Sequence, residues 1–393
     1  MQTTPHSKKH RVQLEAGILD ININQATTSL SSSCDFASRE NPNRGFLFVS
    51  RLLGKHIPVK PSTMTATYDQ LLQQLYFAED EKLLCLALSE TATCLGAGVY
   101  SKIKGKYPDL DTYFQQTTRY ACANDFMLSF KEEHSHSTEH LIHYPKDSEL
   151  YASRTTLLLV DDEMSTGKTL LNLLLALEPK LPKLKRVILC SLTNWMPTAS
   201  YSKIEATFPR LKIEFPALLY GTFSFEQHST FQPKNPIPKL DITQNFCDQI
   251  QRLESRIGYT SDTRLRLEAS QRCLQLSTKL PTTQPILVLG TGEFAYAPYL
   301  LACELEDRGF SVWFQTTTRS PILFGNAIQS KRTFKDNYNQ GIDNYLYNCL
   351  PNEYSHIVVC TETLSGIKLD TVTEDVTTLY YSKLNSNKKE TSA

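Results

Sequence analysis

The sequence predicts an α/β protein in which a doubly wound parallel-sheet domain is followed by a second, smaller α/β domain. Two observations support this fold class. Short, continuous apolar runs alternate with helix-compatible stretches, which is the pattern of a parallel sheet covered by helices on both faces. The prolines of residues 231–238 then interrupt the chain, and the pattern of strand and helix resumes at residues 286–290. A chain of 393 residues is long enough for about two or three such domains.

The first domain is predicted over residues 41–230, behind an irregular polar lead-in of residues 1–40. A structured segment at 45–53 opens the domain. The apolar runs that predict its strands cover 83–88, 116–121, 155–160, 186–192 and 213–219. The helix-compatible stretches lie near 94–104, 168–178 and 198–206. Because ligands of open α/β sheets bind beyond the carboxyl ends of the strands, the polar residues that follow these runs form the candidate site.

A linker that contains a helix is predicted over residues 231–280, with the charged, helix-favouring stretch running from about 243 to 278. The second α/β domain is predicted over residues 281–381. The polar residues 382–393 are expected to be a frayed tail.

Charge and cysteine usage exclude several classes of protein. Lys plus Arg and Asp plus Glu both number 41, so the net charge is zero and no global basic field indicates nucleic-acid binding. No two of the ten cysteines have C-x-x-C spacing, which argues against a zinc ribbon or a thioredoxin-like site. Cysteines inside apolar runs favour a reducing compartment. Because the N-terminus lacks an apolar signal region and the apolar runs are too short for a bilayer, a cytoplasmic location without a membrane partner is expected.

The segment that carries the chemistry is residues 157–169, LLLVDDEMSTGKT. An apolar strand leads to Asp161 and Asp162, whose carboxylate oxygens suit the two hydroxyls of a cis-diol. The Thr-Gly-Lys-Thr turn that follows opens a helix, and backbone amides at a helix N-terminus suit a phosphate monoester. A diol and a phosphate at this spacing together describe ribose 5-phosphate.

Two other interpretations of this segment compete. A Walker A loop requires glycine at position 162, where this chain has Asp162. In the second interpretation Asp161 and Asp162 merely end a strand, and Thr166 caps a helix. The sugar-phosphate interpretation is preferred, because acids and threonines are common at strand ends whereas the whole ordered string is not.

The segment resembles the signature of type I phosphoribosyltransferases, in which two acids, a short spacer and Thr-Gly-x-Thr follow an apolar strand. The resemblance implies a Mg²⁺-dependent transfer of ribose 5-phosphate from phosphoribosyl pyrophosphate (PRPP) to a nitrogenous base or base-like acceptor, with release of pyrophosphate. Asp161 and Asp162 would hold the ribose hydroxyls and would meet the metal only indirectly, through Mg–PRPP. Hypoxanthine-type members place an Asp where Ser165 stands, so a 6-oxopurine acceptor is not expected. The residues around the 5′-phosphate would be Ser165, Thr166, Gly167, Lys168 and Thr169.

The same resemblance relates two upstream segments to the family's pyrophosphate site. The first is the small-residue turn after the first strand, formed by Ser89, Glu90, Thr91 and Ala92. In the family the backbone N–H groups of this turn hold pyrophosphate, and Glu90 would need Mg²⁺ or a base amine beside it. The second is Arg119 at the next strand end, where family members often place a basic residue. A helix start capped by Thr93 and a surface arginine are the structural alternatives.

A long polar insertion, residues 124–151, precedes the Asp-Asp strand. Long loops inside compact domains are usually lids or disordered segments, and the family closes a flexible loop over PRPP at this point. Lys131, His134 and His136 are therefore predicted to lie near departing pyrophosphate. Structural zinc is the alternative, because His136 and His140 have the i, i+4 spacing of metal ligands, although no cysteine lies nearby.

The second domain begins with a strand and G-x-G-x-x-A, the pattern of a dinucleotide-binding turn, which carries Gly290 and Gly292. The acidic residue expected about 20 residues later is missing, since the next strand leads to Thr318 and Arg319 instead, so NAD is not expected. A phosphate-bearing ligand between the turn and residues 316–319 is predicted. The alternative is a tight turn without a ligand.

Residues 318–321, Thr-Arg-Ser-Pro, resemble the TRSP domain that follows a phosphoribosyltransferase domain in bacterial proteins associated with tellurium-resistance clusters. Residues 43–59 are similar to the start of that group's first domain. Arg51, Lys55 and His56 would then line the acceptor pocket, with a solvated helix face as the alternative. A homodimer is expected from the family alone. A non-catalytic PRPP- or nucleotide-sensing regulator is the alternative function, because one fold hosts many functions.

Overall fold

The computed structural model describes residues 8–41, 44–122, 126–131, 139–145, 147, 149–232, 247–350, 352–367 and 375–382. These residues confirm the predicted α/β fold class. A large, mostly parallel sheet is followed along the chain by a smaller parallel sheet, and helices cover both.

The helices and strands follow one another as the alternating pattern predicts. Residues 8–227 contain β1 (Lys8–Gln13), β2 (Gly17–Ala26), α1 (Leu30–Ser33), β3 (Cys34–Ser38), β4 (Phe46–Ser50), α2 (Pro61–Leu72), β5 (Lys82–Ala87), α3 (Thr93–Lys106), β6 (Asp111–Gln116), β7 (Phe126–Lys131), β8 (Glu139–His143), α4 (Glu149–Ala152), β9 (Thr156–Met164), α5 (Lys168–Leu177), β10 (Arg186–Asn194), α6 (Thr198–Thr207), β11 (Lys212–Glu214) and β12 (Ala217–Gln227). Residues 254–380 contain α7 (Glu254–Ile257), α8 (Thr263–Leu276), β13 (Ile286–Gly290), α9 (Tyr296–Asp307), β14 (Val312–Thr316), β15 (Lys331–Lys335), β16 (Asp343–Tyr347), β17 (His356–Thr361) and β18 (Val376–Tyr380). The three helices predicted in the first domain are confirmed as α3, α5 and α6.

The large sheet has the strand order β1-β2-β12-β10-β9-β5-β6, with β11 beside β10. The strands from β12 to β6 are parallel, and β2 joins β12 in the antiparallel direction. The strands predicted at 83–88, 155–160 and 186–192 are confirmed as β5, β9 and β10, because their apolar runs are buried on both faces. The run 213–219 is divided between β11 and β12. The polar residues that follow β5 and β9 meet at one end of this sheet.

The irregular lead-in predicted for residues 1–40 is wrong for its described part. β1 and β2 extend the large sheet, and β3 pairs with β4 in a hairpin. Leu19 and Ile21 of β2 are buried in a cluster with Phe48 and Trp195, whose rings stack 4.6 Å apart. Alternation of apolar and polar residues is the mark of a half-buried strand, and the polar composition of the segment hides it.

The strand predicted at 116–121 is also misplaced, because β6 ends at Gln116. After Gln116 the chain leaves the sheet and contacts the second domain, where Thr118 Oγ1 donates to Glu293 Oε2 at 2.6 Å. The Arg119 amide donates to the other oxygen of the same carboxylate, so the second domain holds Thr118 and Arg119 outside the sheet.

The smaller sheet is parallel throughout, with the order β14-β13-β17-β18. Its helix α9 packs against α2 and α3 of the first domain, so that one apolar cluster runs through both domains. Leu95 and Val99 of α3, together with Leu301 and Leu305 of α9, belong to this cluster and are fully buried. The two domains therefore share one core.

Part of the predicted linker, residues 231–280, belongs to this core. α8 packs against α9 and buries Leu265, Ala269 and Cys273 on one helix face. The charged helix predicted from about 243 to 278 is shorter than expected, since α8 covers Thr263–Leu276 with the short α7 before it.

All ten cysteines fall within the described residues, and each is a free thiol. All but Cys303 are buried, as expected of small apolar side chains. No helix in the described part of the chain has the length and the hydropathy needed to cross a membrane.

Candidate active site

A cavity of about 170 Å³ lies at the carboxyl ends of β5 and β9. It brings together most of the residues predicted to bind PRPP. Two of them lie outside its lining: Ala92 is buried just before α3, and Lys168 begins α5 with an exposed side chain. The predicted residues that line it are Ser89, Glu90, Thr91, Arg119, Asp161, Asp162, Ser165, Thr166, Gly167 and Thr169.

Asp161 and Asp162 lie within β9, which continues to Met164 and thus beyond the predicted strand end at residue 160. Both are half-buried, and the Asp162 amide donates to Asp161 Oδ1 at 3.0 Å. An ionised carboxylate only accepts hydrogen bonds, which matches the hydroxyls of a diol. The position at the cavity is the one that the motif predicts.

The loop between β9 and α5 suits an anion. Gly167, and not Thr166, occupies the N-cap position of α5, with a left-handed φ of 74°. A Cβ at Gly167 would lie 2.8 Å from Met196 Sδ, so only glycine fits. Ser200 Oγ donates to the Thr166 carbonyl at 2.8 Å and fixes the loop. The first turn of α5 thus starts beside the cavity, where its N–H groups and the helix dipole favour a phosphate.

The turn after β5 is held by a chain of polar side chains. The Ser89 amide donates to Thr117 Oγ1 at 2.8 Å, and Thr117 Oγ1 lies 3.1 Å from Nδ1 of the buried His140. The Ser89–Glu90 peptide is cis. Thr93 begins α3 and does not cap it, since its hydroxyl donates to the Glu90 carbonyl at 3.2 Å. These bonds fix the backbone that faces the cavity.

Glu90 lies in the cavity among basic side chains. Lys55 Nζ is 2.6 Å from Glu90 Oε1 and also donates to the Gly292 carbonyl at 3.0 Å. Burial alone would raise the pKa of Glu90. The charge and hydrogen bond of Lys55, followed by the charges of Arg319 and Arg119, outweigh burial and lower that pKa below its usual value. The carboxylate is therefore ionised.

Arg119 is buried beyond the end of β6, so it is not a surface arginine. Its Nη2 group donates to the Ser89 carbonyl at 3.4 Å. Its amide donates to Glu293 Oε1 at 2.7 Å, and Thr118 Oγ1 donates to the other oxygen of the same carboxylate. Because Glu293 comes from the second domain, that domain fixes the backbone that carries Arg119.

The segment after β4 forms another wall of the cavity. Of the residues predicted for the acceptor pocket, Lys55 and His56 line the cavity, whereas Arg51 lies outside it and pairs with Asp35. Burial, and then the charge of Lys55, lower the pKa of His56 to about 3, so this imidazole is neutral near pH 7. A neutral imidazole carries one donor and one acceptor nitrogen.

The cavity is also lined by residues that the sequence motifs did not single out for it, among them Arg44, Glu163 and His140. Arg44 Nη2 donates to Glu163 Oε1 at 2.5 Å, and its guanidinium lies 4.8 Å from the Phe46 ring centre. Glu163 stands two residues after Asp161 in a strand, and this period-two spacing is a signal that places both on one face. From the sequence, His140 is predicted to be a zinc ligand or a solvated side chain. Its contacts with Ser89 and Thr117 are not predicted, because these residues lie far away in the sequence.

The predicted second-domain residues do not surround a separate ligand within the described part of the chain. Gly290 and Gly292 are buried. The Gly292 amide donates to Thr317 Oγ1 at 3.0 Å, and its carbonyl accepts from a lysine of the first domain. Thr318 and Arg319 line the first domain's cavity instead. A tight turn held by protein groups fits this arrangement, and the phosphate site predicted between the turn and residues 316–319 stays a prediction.

The predicted lid lies largely outside the described residues, which include neither His134 nor His136. Lys131 ends β7. Among the residues that are described, no group of three or more His, Cys, Asp or Glu side chains is arranged to hold a metal ion. The lid and the zinc alternative both stay predictions.

Solved adenine phosphoribosyltransferases are among the similar structures. The enzyme from Trypanosoma brucei, in complex with AMP, pyrophosphate and ribose-5-phosphate, is 11% identical, with a TM-score of 0.33, and the match covers 48% of this chain and 77% of that one. The enzyme from Thermoanaerobacter pseudethanolicus is 13% identical, with a TM-score of 0.32 and coverage of 48% and 95%. The enzyme from Leishmania donovani is 17% identical, with a TM-score of 0.33 and coverage of 49% and 80%. The strand order of the large sheet defines the fold.

Family models give the decisive comparison. None of the curated proteins matches the chain. The family described as "Phosphoribosyl transferase" matches residues 33–222, which hold the acidic pair, the loop before α5 and the turn after β5. The family described as "TRSP domain C terminus to PRTase_2" matches residues 254–372. The chain therefore belongs to the phosphoribosyl transferase family in which a TRSP domain follows the transferase domain.

Proposed function

We propose that this protein transfers ribose 5-phosphate from PRPP to a nitrogenous base or base-like acceptor and releases pyrophosphate. The observation that carries the proposal is that one cavity is lined by the acidic pair, by the loop before α5 and by the turn after β5. Lys55 and Arg119 lie beside that turn. Asp161 and Asp162 would accept hydrogen bonds from the ribose hydroxyls, and the loop at Thr166 would hold the 5′-phosphate. The turn at Ser89 would hold pyrophosphate.

The reaction exchanges one bond at C1 of the ribose for another. The C1–O bond to pyrophosphate breaks and its electron pair leaves with the pyrophosphate oxygen. The acceptor nitrogen bonds to C1 and loses a proton, so the products are a nucleotide, pyrophosphate and a proton. Lys55 and Arg119 lie at the turn and are fixed before the reaction, which is the arrangement that best stabilises the leaving charge.

The oxygen donors of the cavity fit Mg²⁺ that arrives bound to PRPP. Glu90 supplies a carboxylate, and Asp161 and Asp162 would meet the ion only indirectly through PRPP, since Mg²⁺ commonly binds through one or two carboxylates together with substrate phosphates. When bound, the ion neutralises charge on the pyrophosphoryl group.

A non-catalytic PRPP or nucleotide sensor is the second candidate function. Glu90 favours a sensor of a nucleotide without a pyrophosphoryl group, because an ionised carboxylate in the turn after β5 repels pyrophosphate. A sensor would keep the acidic pair and the phosphate loop but would need no acceptor. The homodimer and the link to tellurium resistance stay predictions from the resemblance.

One experiment separates the two functions. The protein is incubated with Mg²⁺, PRPP and a panel of nucleobases and base-like compounds while pyrophosphate release is followed, and PRPP binding is measured in parallel by calorimetry. Release that requires one acceptor supports the transferase. Clear PRPP binding without release for any acceptor supports the sensor, and a protein that does not bind PRPP contradicts both.

A further inference from the structure

The Thr-Arg-Ser-Pro segment of the second domain reaches the cavity of the first. It follows β14, and Arg319 and Ser320 line the same cavity as Glu90 and Asp161. The segment is held by Tyr347, whose hydroxyl donates to the Ser320 carbonyl at 2.7 Å. The TRSP domain thus presents a fixed turn to the site of the transferase domain.

Arg319 is held in one orientation by ring stacking and a hydrogen bond. Its guanidinium lies 4.4 Å from the ring centre of Tyr120, and Tyr120 stacks on Tyr338 at 4.2 Å. Arg319 Nη2 donates to Gln340 Oε1 at 3.0 Å. The guanidinium is planar, and its paired N–H donors match the oxygens of a phosphate. A guanidinium that is already held in place by a ring keeps these donors in a fixed orientation.

Three cations from different parts of the chain act on Glu90. Lys55 follows β4, Arg119 follows β6 and Arg319 follows β14, and the charge of each favours the ionised form of the Glu90 carboxyl. Lys55 and Arg119 are buried, and charges there are screened less than in water.

The carboxylate of Glu293 also acts on Arg319. Its Oε1 accepts from the Arg119 amide, and its Oε2 accepts from Thr118 Oγ1 at 2.6 Å and from Arg256 Nη2 at 3.3 Å. Glu293 is therefore shared between Thr118 and Arg119 of the first domain and Arg256.

A polar group beside Arg319 is also free to bind a ligand. Ser320 Oγ is buried and has no hydrogen-bond partner within the described residues. Buried hydroxyls in folded proteins normally have one. Because Ser320 lines the cavity, a bound polyanion would complete its hydrogen bonding.

We propose that Arg319, together with the Ser320 hydroxyl, binds the pyrophosphoryl group of PRPP, so that the TRSP domain supplies part of the transferase site. This inference rests on the proposed function, because it takes PRPP as the ligand. When the C1–O bond breaks and its electron pair moves to pyrophosphate, Arg319 stabilises that charge from a fixed position. The tetrapeptide then serves the first domain's reaction and not a ligand of its own.

The test compares three ligands on the full-length chain. Calorimetry with Mg²⁺ measures the binding of PRPP, pyrophosphate and ribose 5-phosphate to the wild type, to Arg319→Gln and to Arg264→Gln, a control on the exposed face of α8. Arg319→Gln is expected to weaken PRPP and pyrophosphate binding by at least about tenfold and to change ribose 5-phosphate binding by less than about twofold. The control should bind all three as the wild type does.

Two further variants complete the design. Asp161→Asn combined with Asp162→Asn should show the opposite pattern, a loss of ribose 5-phosphate binding with pyrophosphate binding retained. If Arg319→Gln does not fold, Arg319→Lys replaces it. Lysine keeps the charge without the fork, and we expect a smaller loss confined to PRPP and pyrophosphate.

The two possible failures give different results. Unchanged pyrophosphate affinity in the folded Arg319 variant, or an equal loss for ribose 5-phosphate, overturns this inference and leaves the proposed function intact. A wild-type protein that binds neither PRPP nor ribose 5-phosphate overturns the proposed function, whatever the Arg319 variants do.

Discussion

Asp161 and Asp162 place two half-buried carboxylates at the cavity, and their charge is what the proposed diol contact needs. Replacing both by Asn keeps their size and removes the charge. We expect the double variant to fold and to lose at least about 100-fold in PRPP affinity, since a hydrogen bond to a charged group contributes roughly 1.5–3 kcal/mol. Calorimetry with Mg²⁺ and PRPP measures the loss, and circular dichroism checks the fold.

Glu205→Gln is the matched control for that variant, because Glu205 is exposed on α6 and its replacement also removes an acidic charge. It should bind PRPP as the wild type does. A double Asp variant with wild-type affinity would refute the assignment of the ribose hydroxyls to this pair.

The buried His56 makes the free energy of unfolding depend on pH. Burial first, and the charge of Lys55 second, lower its pKa from 6.5 to about 3. Between these two values the unfolded chain binds a proton that the folded chain does not. The free energy of unfolding should therefore fall with decreasing pH in this window, by up to about 1.4 kcal/mol per pH unit from His56.

Urea unfolding between pH 7 and pH 4.5 measures this slope in the wild type and in His56→Asn. The variant should have the shallower slope, whereas His10→Asn on the exposed β1 should keep the slope of the wild type. Glu90 contributes a slope of the same sign only near and below its ordinary pKa of 4.5, because its lowered pKa stabilises the fold until acid protonates the carboxylate. Equal slopes in all three proteins would show that His56 is not kept neutral by the fold.

The start of α5 depends on Gly167, which has no side chain. Gly167→Ala would force a Cβ into the left-handed region and against Met196 Sδ, so we expect a loss of about 1–2 kcal/mol in stability and weaker ribose 5-phosphate binding. Gly105→Ala in α3 is the control, because a Cβ there meets no described atom within 4 Å. It should raise stability by up to about 1 kcal/mol. Denaturant unfolding and calorimetry compare the two, and equal effects would contradict the role given to the loop.

The predicted lid gives a separate expectation for the insertion between β7 and β8. Replacing residues 131–136 by a short Gly-Ser linker should lower turnover more than PRPP affinity, because a lid excludes water and completes the site after the donor has bound. Steady-state kinetics and calorimetry on the same variant separate the two effects. If affinity collapses and turnover holds, the segment is not a lid.

The elements that the sequence predicts correctly are those encoded by their own residues. β5, β9 and β10 are continuous apolar runs, and α5 begins at a recognisable turn, so local patterns are sufficient. β2 escapes prediction because its apolar residues alternate with polar ones in a polar segment. The strand predicted at 116–121 is misplaced because Arg119 and its neighbours are buried by Glu293, a residue 174 positions away, which no local pattern reveals.

In the complete molecule, the site could be predicted only where its residues form local sequence motifs. The acidic pair, the loop before α5 and the turn at Ser89 are each one short motif, and the structure brings all three to one cavity. The sequence predicts that Arg319 binds a ligand of its own domain, because a local motif does not show which distant residues lie beside it in the fold. Its place beside Glu90 follows from the shared core, which brings β14 against the segment after β4 through paired hydrogen bonds between Val59 and Phe314.

Replacing Arg256 measures how much a buried ion-pair network contributes to the stability of the two-domain core. Its Nη1 and Nη2 groups donate to the two oxygens of Glu362 at 2.8 and 2.7 Å, and Nη2 also reaches Glu293 at 3.3 Å. All three side chains are buried. Arg256→Met would leave the two acids without this cation, and we expect a loss of about 3–5 kcal/mol, as for other broken buried pairs. Arg11→Met, whose ion pair with Asp20 is exposed, should cost less than about 1 kcal/mol.

The loss at Arg256 should also depend on pH and should be felt in both domains. Burial already raises the pKa of Glu362, so without the arginine this acid takes up a proton more readily and the loss should shrink as the pH falls. Unfolding is followed by fluorescence in Trp313→Phe and Trp195→Phe backgrounds, which report on the large and the small sheet respectively. Because one apolar cluster spans both sheets, the two reporters should shift together in Arg256→Met. Separate transitions would show that the domains fold independently, and a site that needs Arg319 in place would then form only after they dock.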